Sequence, residues 1–240
     1  MEELNESLYS QVLKFDETTR TRWMNERKAY AVLFELTSKC NFNCVHCYLQ
    51  NFHVPDELTT EQVKNILDIL CEKGILFLTL TGGEILARRD FLEIYLYAKK
   101  KGFLVELFTN GYLFSDEIIL ALQEYPPLLV SISLYGANDN TYEKITGIKG
   151  AFSVVKENCY KLKNAGVRVA LKSPILTYTL FEMQDMKQVA DEMGLQIVFS
   201  FDIHDTIDGS EKPREYQTKL SDALRYEFDE RIQKLQIIRR

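Results

Sequence analysis

Three cysteines fall within eight residues, Cys40, Cys44 and Cys47, in the spacing C-x3-C-x2-C. Thiolates are soft ligands, and three on one loop can hold a metal centre while leaving one coordination position unfilled. In a cubane iron–sulfur cluster that leaves one iron open to a further ligand. The competing occupant is structural zinc, which prefers four ligands in paired C-x2-C knuckles. The second pair is missing here. Cys71 and Cys159 lie far off, within helical patterns, and read as small buried hydrophobes. Five cysteines in all is an odd and sparse count, which argues against a disulfide scaffold.

Six apolar runs must position this loop. They are Tyr30–Leu36, Leu76–Leu80, Leu104–Phe108, Leu128–Leu134, Val167–Leu171 and Gln196–Phe201. Most are continuous rather than alternating, as in strands covered on both faces. Helical patterns separate them. One opens at Thr59, whose spacing to Gln62 is that of a capping box. Others run over about Asp90–Lys101, from Ser115 to before Pro126, and over about Ala151–Ala165 and Glu182–Met193. A glycine follows the helix and precedes the next strand four times, at Gly74, Gly102, Gly166 and Gly194. Alternating strands and helices predict a parallel α/β sheet with right-handed crossovers. Six units are too few for the eight-stranded barrel.

The chain has 240 residues, 46% hydrophobic and 27% charged, with a formal net charge of -6. That composition excludes a disordered chain. Its acidity disfavours nucleic-acid partners, which call for a basic face. No apolar run reaches a membrane span, and the polar N-terminus is no signal peptide, so the expected compartment is the cytoplasm. Three segments are expected: a charged extension over 1–29, a catalytic unit over 30–205, and a C-terminal helical segment over 206–240. A frayed helix is expected around Glu3–Phe15 and another from Ser221. The last one runs to Arg240 without a stop, so the natural chain is expected to continue.

In parallel α/β folds ligands gather at the carboxyl ends of strands, and there the motifs cluster. The cysteine loop follows the first strand, Thr81-Gly82-Gly83-Glu84 the second, and Thr109-Asn110-Gly111 the third. Ser133-Leu134-Tyr135-Gly136 ends the fourth and leads into Thr141-Tyr142-Glu143-Lys144-Ile145-Thr146-Gly147. Together these resemble the radical S-adenosylmethionine (SAM) enzymes over about residues 30–205, with His46 in the aromatic-type position before the third cysteine. The resemblance implies a partial (β/α)6 TIM-like barrel. It also implies a four-iron, four-sulfur (4Fe–4S) cluster on Cys40, Cys44 and Cys47, with SAM on the open iron. Reductive cleavage of SAM would then give a 5′-deoxyadenosyl radical that abstracts hydrogen from a substrate. A flavodoxin- or ferredoxin-type protein would supply the electron.

On the same grounds Gly82 and Gly83 would let backbone approach the SAM amine, and Glu84 would hold its amino group. Ser133 would reach the ribose or carboxylate, Lys144 the carboxylate, and His46 the adenine, with Asn110 completing the cofactor set. Each has a plainer reading: a solvated carboxylate for Glu84, a strand-end hydroxyl for Ser133, a surface lysine for Lys144. Lys172 faces either the barrel mouth or solvent, and His53 and His204 read as surface residues. Ile85 stands where relatives often carry Pro, and Tyr135 where some carry Asp. The stretch from Ser133 to Phe152 resembles enzymes that mature ribosomally made peptides or proteins, or build peptide-derived and haem-type cofactors. Those usually carry a cysteine-rich SPASM or twitch extension, and no cysteine follows Cys159. Three functions therefore stand: a peptide or protein maturase, an enzyme of small-molecule cofactor biosynthesis, or a non-catalytic iron–sulfur electron carrier or metal-binding module.

Overall fold

The computed structural model describes residues 21–22, 24–49, 54–219 and 221–222. The helices expected around 3–15 and beyond 222, and His53, lie outside these. Six strands form one sheet: β1 (Ala31–Glu35), β2 (Phe77–Thr81), β3 (Leu104–Thr109), β4 (Leu129–Ser133), β5 (Val169–Pro174) and β6 (Gln196–Ser200). They run in sequence order and every pair is parallel. Six helices cross between them: α1 (Thr60–Glu72), α2 (Phe91–Lys100), α3 (Asp116–Glu124), α4 (Asp139–Thr146), α5 (Ala151–Asn164) and α6 (Met183–Met193). This is the α/β partial barrel that the family resemblance implies, with the six parallel strands expected from the apolar runs.

The local signals explain the element ends. Thr59 and Gln62 form the reciprocal capping box that opens α1, each side chain bonding the other residue's backbone. The helix-ending glycines take left-handed backbone, as Gly194 does after α6 at φ 63°.

Helix α4 was not among the expected elements. Its polar sequence has little apolar content, yet Asn138 caps it by accepting the Thr141 N–H at 3.0 Å, and Gly147 ends it. Its inward residues are Thr141, Tyr142, Ile145 and Thr146.

The strands divide their side chains between two faces. Leu78, Leu80, Val105, Leu107, Val130, Ile132 and Leu171 point outward and are buried beneath the helices. They pack with Val63, Leu67, Phe91, Ile94 and Leu162 in one core. The other face is concave and open, which departs from the expectation of strands covered on both sides. At its two edges Leu33 on β1 is 58% exposed and Val198 on β6 is 66% exposed. Six strands curve without closing, so the inner face stays accessible and can be lined for chemistry.

Past β6 the chain straps back across the barrel. Ile207 N–H reaches Tyr48 O, Thr177 N–H reaches Tyr216 O, and the Thr218 hydroxyl reaches Ile175 O. A 3-10 turn at Lys212–Tyr216 lies within this strap. No helix among the described residues is long and apolar enough to cross a membrane.

Candidate active site

The cysteine loop leaves β1 at Leu36 and is tied down at several points. Leu36 N–H donates to Thr81 O at 2.9 Å, Gly83 N–H to Thr37 O at 2.8 Å, and Glu84 N–H to Lys39 O at 2.8 Å. Its far half hangs on the end of α4, where Asn43 N–H meets Thr146 O and Val45 N–H meets Ile145 O, both at 3.0 Å. The unexpected helix is thus what shapes the loop.

Two further clamps are not visible in the sequence. The Arg88 guanidinium donates to Leu36 O at 2.7 Å and Leu58 O at 3.0 Å, and forks onto Asp90 at 2.9 and 2.6 Å. That ion pair holds the Asp90 carboxyl down to about 2. Glu57 accepts from the Thr37 hydroxyl at 2.7 Å and from Ser38 N–H at 2.8 Å.

Held this way, Cys40, Cys44 and Cys47 line one chamber of about 340 Å³ with Gly82, Gly83, Asn110, Ser133 and His46. Burial raises all three thiols above their ordinary range, most of all Cys44, while the Tyr135 phenol opposes that rise at Cys44. Metal loading must therefore displace protons. Among the described residues no three His, Cys, Asp or Glu side chains converge on a single ion position. A cube of iron and sulfide spreads its cysteine ligands over separate corners, so thiols that ring a chamber suit it better than they suit zinc. The residues present therefore fit a cluster with SAM beside it.

The expected cofactor residues divide into two groups. His46 and Ser133 do line the chamber. The His46 ring lies 5.3 Å from that of Tyr135; its buried Nδ1 has no hydrogen-bond partner, and burial pushes the imidazole down to about 4, so it is neutral. Asn110 also lines the chamber, but its amide braces the loop, donating to Asn41 Oδ1 at 2.8 Å and to Cys40 Sγ at 3.8 Å. Tyr135, at the position where some relatives carry Asp, packs its ring between Phe42, His46 and Tyr142.

Gly82, Gly83, Glu84 and Lys144 stand in different surroundings. The glycines were expected to admit the SAM amine. Both line the chamber, and their missing side chains also make room for the cysteine loop: a Cβ on Gly82 would stand 2.4 Å from Thr37 O, and one on Gly83 2.3 Å from Lys39 O.

Glu84 was expected to hold the SAM amino group. Its carboxylate lies fully buried outside the chamber lining and accepts from the Thr109 hydroxyl and Asn110 N–H, both at 2.7 Å, and from Leu86 N–H at 3.0 Å. It locks the end of β2 to the end of β3. Burial raises its pKa while the three donors lower it, with burial the larger. Glu84→Gln turns an acceptor into a donor facing donors. Thermal melting should show a loss of about 1–3 kcal/mol, the usual cost of an unmatched buried polar group.

Lys144 was expected to pair with the SAM carboxylate. Helical periodicity turns it outward: Tyr142, Ile145 and Thr146 face in, and Lys144 is exposed in the last turn of α4. Lys144→Ala should leave SAM affinity within about twofold of wild type by equilibrium dialysis, as for surface substitutions generally.

A six-stranded parallel α/β half-barrel with a three-thiol loop over a chamber at its carboxyl end defines a class of cluster-dependent enzyme. The family model described as "Radical SAM superfamily" matches residues 34–193. The chain belongs to the radical SAM superfamily, whose members use a 4Fe–4S cluster and SAM. It is 34% identical over 172 residues to the antilisterial bacteriocin subtilosin biosynthesis protein AlbA of Bacillus subtilis, covering 70% of this chain and 38% of that one. It is 32% identical to an AdoMet-dependent heme synthase of Methanosarcina barkeri, covering 84% of this chain and 60% of that one. Streptococcus suis SuiB bound to S-adenosylmethionine has the same fold, with a TM-score of 0.74 at 12% identity over 96% of this chain and 53% of that one. The chain therefore spans less than two thirds of the length of these relatives.

Proposed function

We propose that Cys40, Cys44 and Cys47 hold a 4Fe–4S cluster and that SAM lies beside it over the Gly82–Gly83 backbone, within reach of Ser133 and His46. The substrate is a ribosomally made peptide or protein undergoing maturation. The observation that carries this reading is the gathering of the three thiols, the two glycines and Ser133 around one chamber. The peptide assignment is supported by relatives named for bacteriocin biosynthesis, for mycofactocin maturation and for sporulation killing factor maturation, and by SuiB bound to its precursor peptide SuiA. When bound, the cluster supplies the electron that cleaves SAM reductively, giving a 5′-deoxyadenosyl radical that takes hydrogen from the substrate.

The chain's own residues prepare that step. The backbone bonds of Gly83 and Glu84 fix the loop's position, and Arg88 and Glu57 keep its ends from moving. Phe42, Tyr135 and Tyr142 back the loop with aromatic surface that excludes water. A neutral His46 offers an uncharged ring at the chamber wall. The catalytic unit is residues 30–205, working in the cytoplasm with a flavodoxin- or ferredoxin-type reductant and without nucleic acid.

The test is anaerobic reconstitution with iron and sulfide, followed by SAM and dithionite. The expected product is 5′-deoxyadenosine. None from a protein that carries its full iron would instead support the electron-carrier reading. The heme-synthase relative favours a second reading, cofactor biosynthesis, since it matches 84% of this chain against 70% for AlbA. Mass spectrometry of reactions supplied with a precursor peptide or with a haem-type precursor separates the two.

A further inference from the structure

The concave face carries a half-buried cation, Lys172, that the cofactor assignments leave unused. Lys172 lies on β5, opposite Ser133 of β4 and Val198 of β6. Its side chain lines the SAM chamber and also a second chamber of about 580 Å³ that continues toward β6. The second chamber shares His46, Tyr48, Phe108, Ser133, Tyr135 and Lys172 with the first but none of the cysteines, and adds Ser200, Asp202 and His204. Lys172 therefore sits at the junction of the two spaces. The sequence left open whether it faces the mouth or solvent, and the strand register decides for the mouth.

The ammonium lies over the face of the Phe108 ring. Among the described residues no carboxylate lies within ion-pair distance of it. Glu106 stands two residues before Phe108 on the same face and acts on Lys172 at longer range. Its carboxylate already accepts the Ser131 hydroxyl at 2.8 Å. Glu35, at the first chamber's wall, accepts the Tyr48 hydroxyl at 2.6 Å. Asp202 and His204 are exposed at the rim. Burial pushes the Lys172 amine down to about 7.

A half-buried ammonium without an anion has lost part of its hydration, and an arriving anion offsets that cost. Lys offers a point charge, which suits a carboxylate without demanding a forked geometry. Resting on the maturation reading above, we propose that Lys172 is the substrate anchor of the second chamber. It receives a carboxylate of the substrate, either an acidic side chain or a chain terminus, and holds it over Phe108 beside the SAM chamber.

The test uses the full chain, anaerobically reconstituted with SAM present, under trace acetylation with acetic anhydride. Mass spectrometry reads the labelling of each lysine. The probes are aspartate capped as its acetyl methylamide, N-acetylglycine, and the matching capped asparagine as a neutral control. One acid should lower Lys172 labelling severalfold while the asparagine does not, with exposed Lys144 unchanged. Protection by capped aspartate assigns an acidic side chain, and protection by N-acetylglycine a terminus. A second measurement titrates the protecting acid calorimetrically. Lys172→Met should lose its binding and Lys172→Arg should restore part of it. Protection by neither acid, equal protection by the asparagine, failure of free Lys172 to label, or unchanged binding in Lys172→Met overturns the proposal. Labelling needs no reduction of the cluster, so it stands or falls separately from 5′-deoxyadenosine formation.

Discussion

Cys44→Ala abolishes 5′-deoxyadenosine formation, with a loss well beyond the roughly 10–100-fold that follows removal of an outer-shell partner of a metal site. Cys44 is the most buried of the three loop thiols, backed by Phe42 and Tyr135 and hung from α4 through its neighbours Asn43 and Val45. No other cysteine can replace it. Cys159 is buried on α5 in the core, and Cys71 is exposed on α1, its thiol directed to Lys101 O at 3.7 Å. The informative comparison is therefore Cys44→Ala against Cys159→Ala. The first should lose iron and the visible absorption of the cluster. The second should keep both and show only a lower melting temperature. Full iron in Cys44→Ala would mean that the loop is not the ligand set.

Gly83→Ala should have the second largest effect, although it touches no ligand. The new Cβ would stand 2.3 Å from Lys39 O, 2.7 Å from Lys39 C and 2.9 Å from Ser38 O. These are backbone atoms of the cysteine loop, so no side-chain rotation relieves the clash. The loop has to move, and the Glu84 N–H to Lys39 O bond breaks with it. Overpacking of this kind costs on the order of 1–3 kcal/mol. Here much of that appears as misplacement of Cys40, one residue further on. Iron retained after gel filtration and SAM affinity should both fall, the latter by at least about tenfold, equivalent to about 1.4 kcal/mol. Gly102→Ala is the control. Its Cβ meets nothing within 4 Å, though its φ of +90° makes the substitution strained. It should cost stability while leaving iron and SAM binding intact. Equal iron loss in both variants would show general unfolding rather than a displaced loop.

The two variants mark how differently the site could be read beforehand. The cysteine spacing, the helix-ending glycines and the apolar runs are local patterns. Spacing along the chain is set by covalent geometry, and periodicity by the helix and strand repeats. So the six parallel strands of an α/β fold and the placing of motifs after β1, β2, β3 and β4 were legible in the sequence, while the half-barrel followed from the family resemblance. Helix α4 was not, because its Asn138 cap and its four inward residues are too short a pattern to stand out within a motif-rich loop. The signal was present in the Asn138–Thr141 spacing and the closing Gly147.

By itself the sequence determined the superfamily's cysteine loop, the strand count and the order in which the functional segments meet. Only the tertiary structure decided what each side chain faces. Glu84 and Lys144 sit in motifs, yet one is turned beneath the chamber by three donors and the other out to solvent by helical phase. Arg88 and Glu57, unmarked in the sequence, hold the loop through contacts with residues 52 and 20 positions away. Lys172 could point either way until the β4–β5 register set it beside Ser133 on the concave face. The physical reason is that strand alternation assigns two faces without saying which is inner. That choice is made by the curvature of the sheet and by the helices that cover its outside.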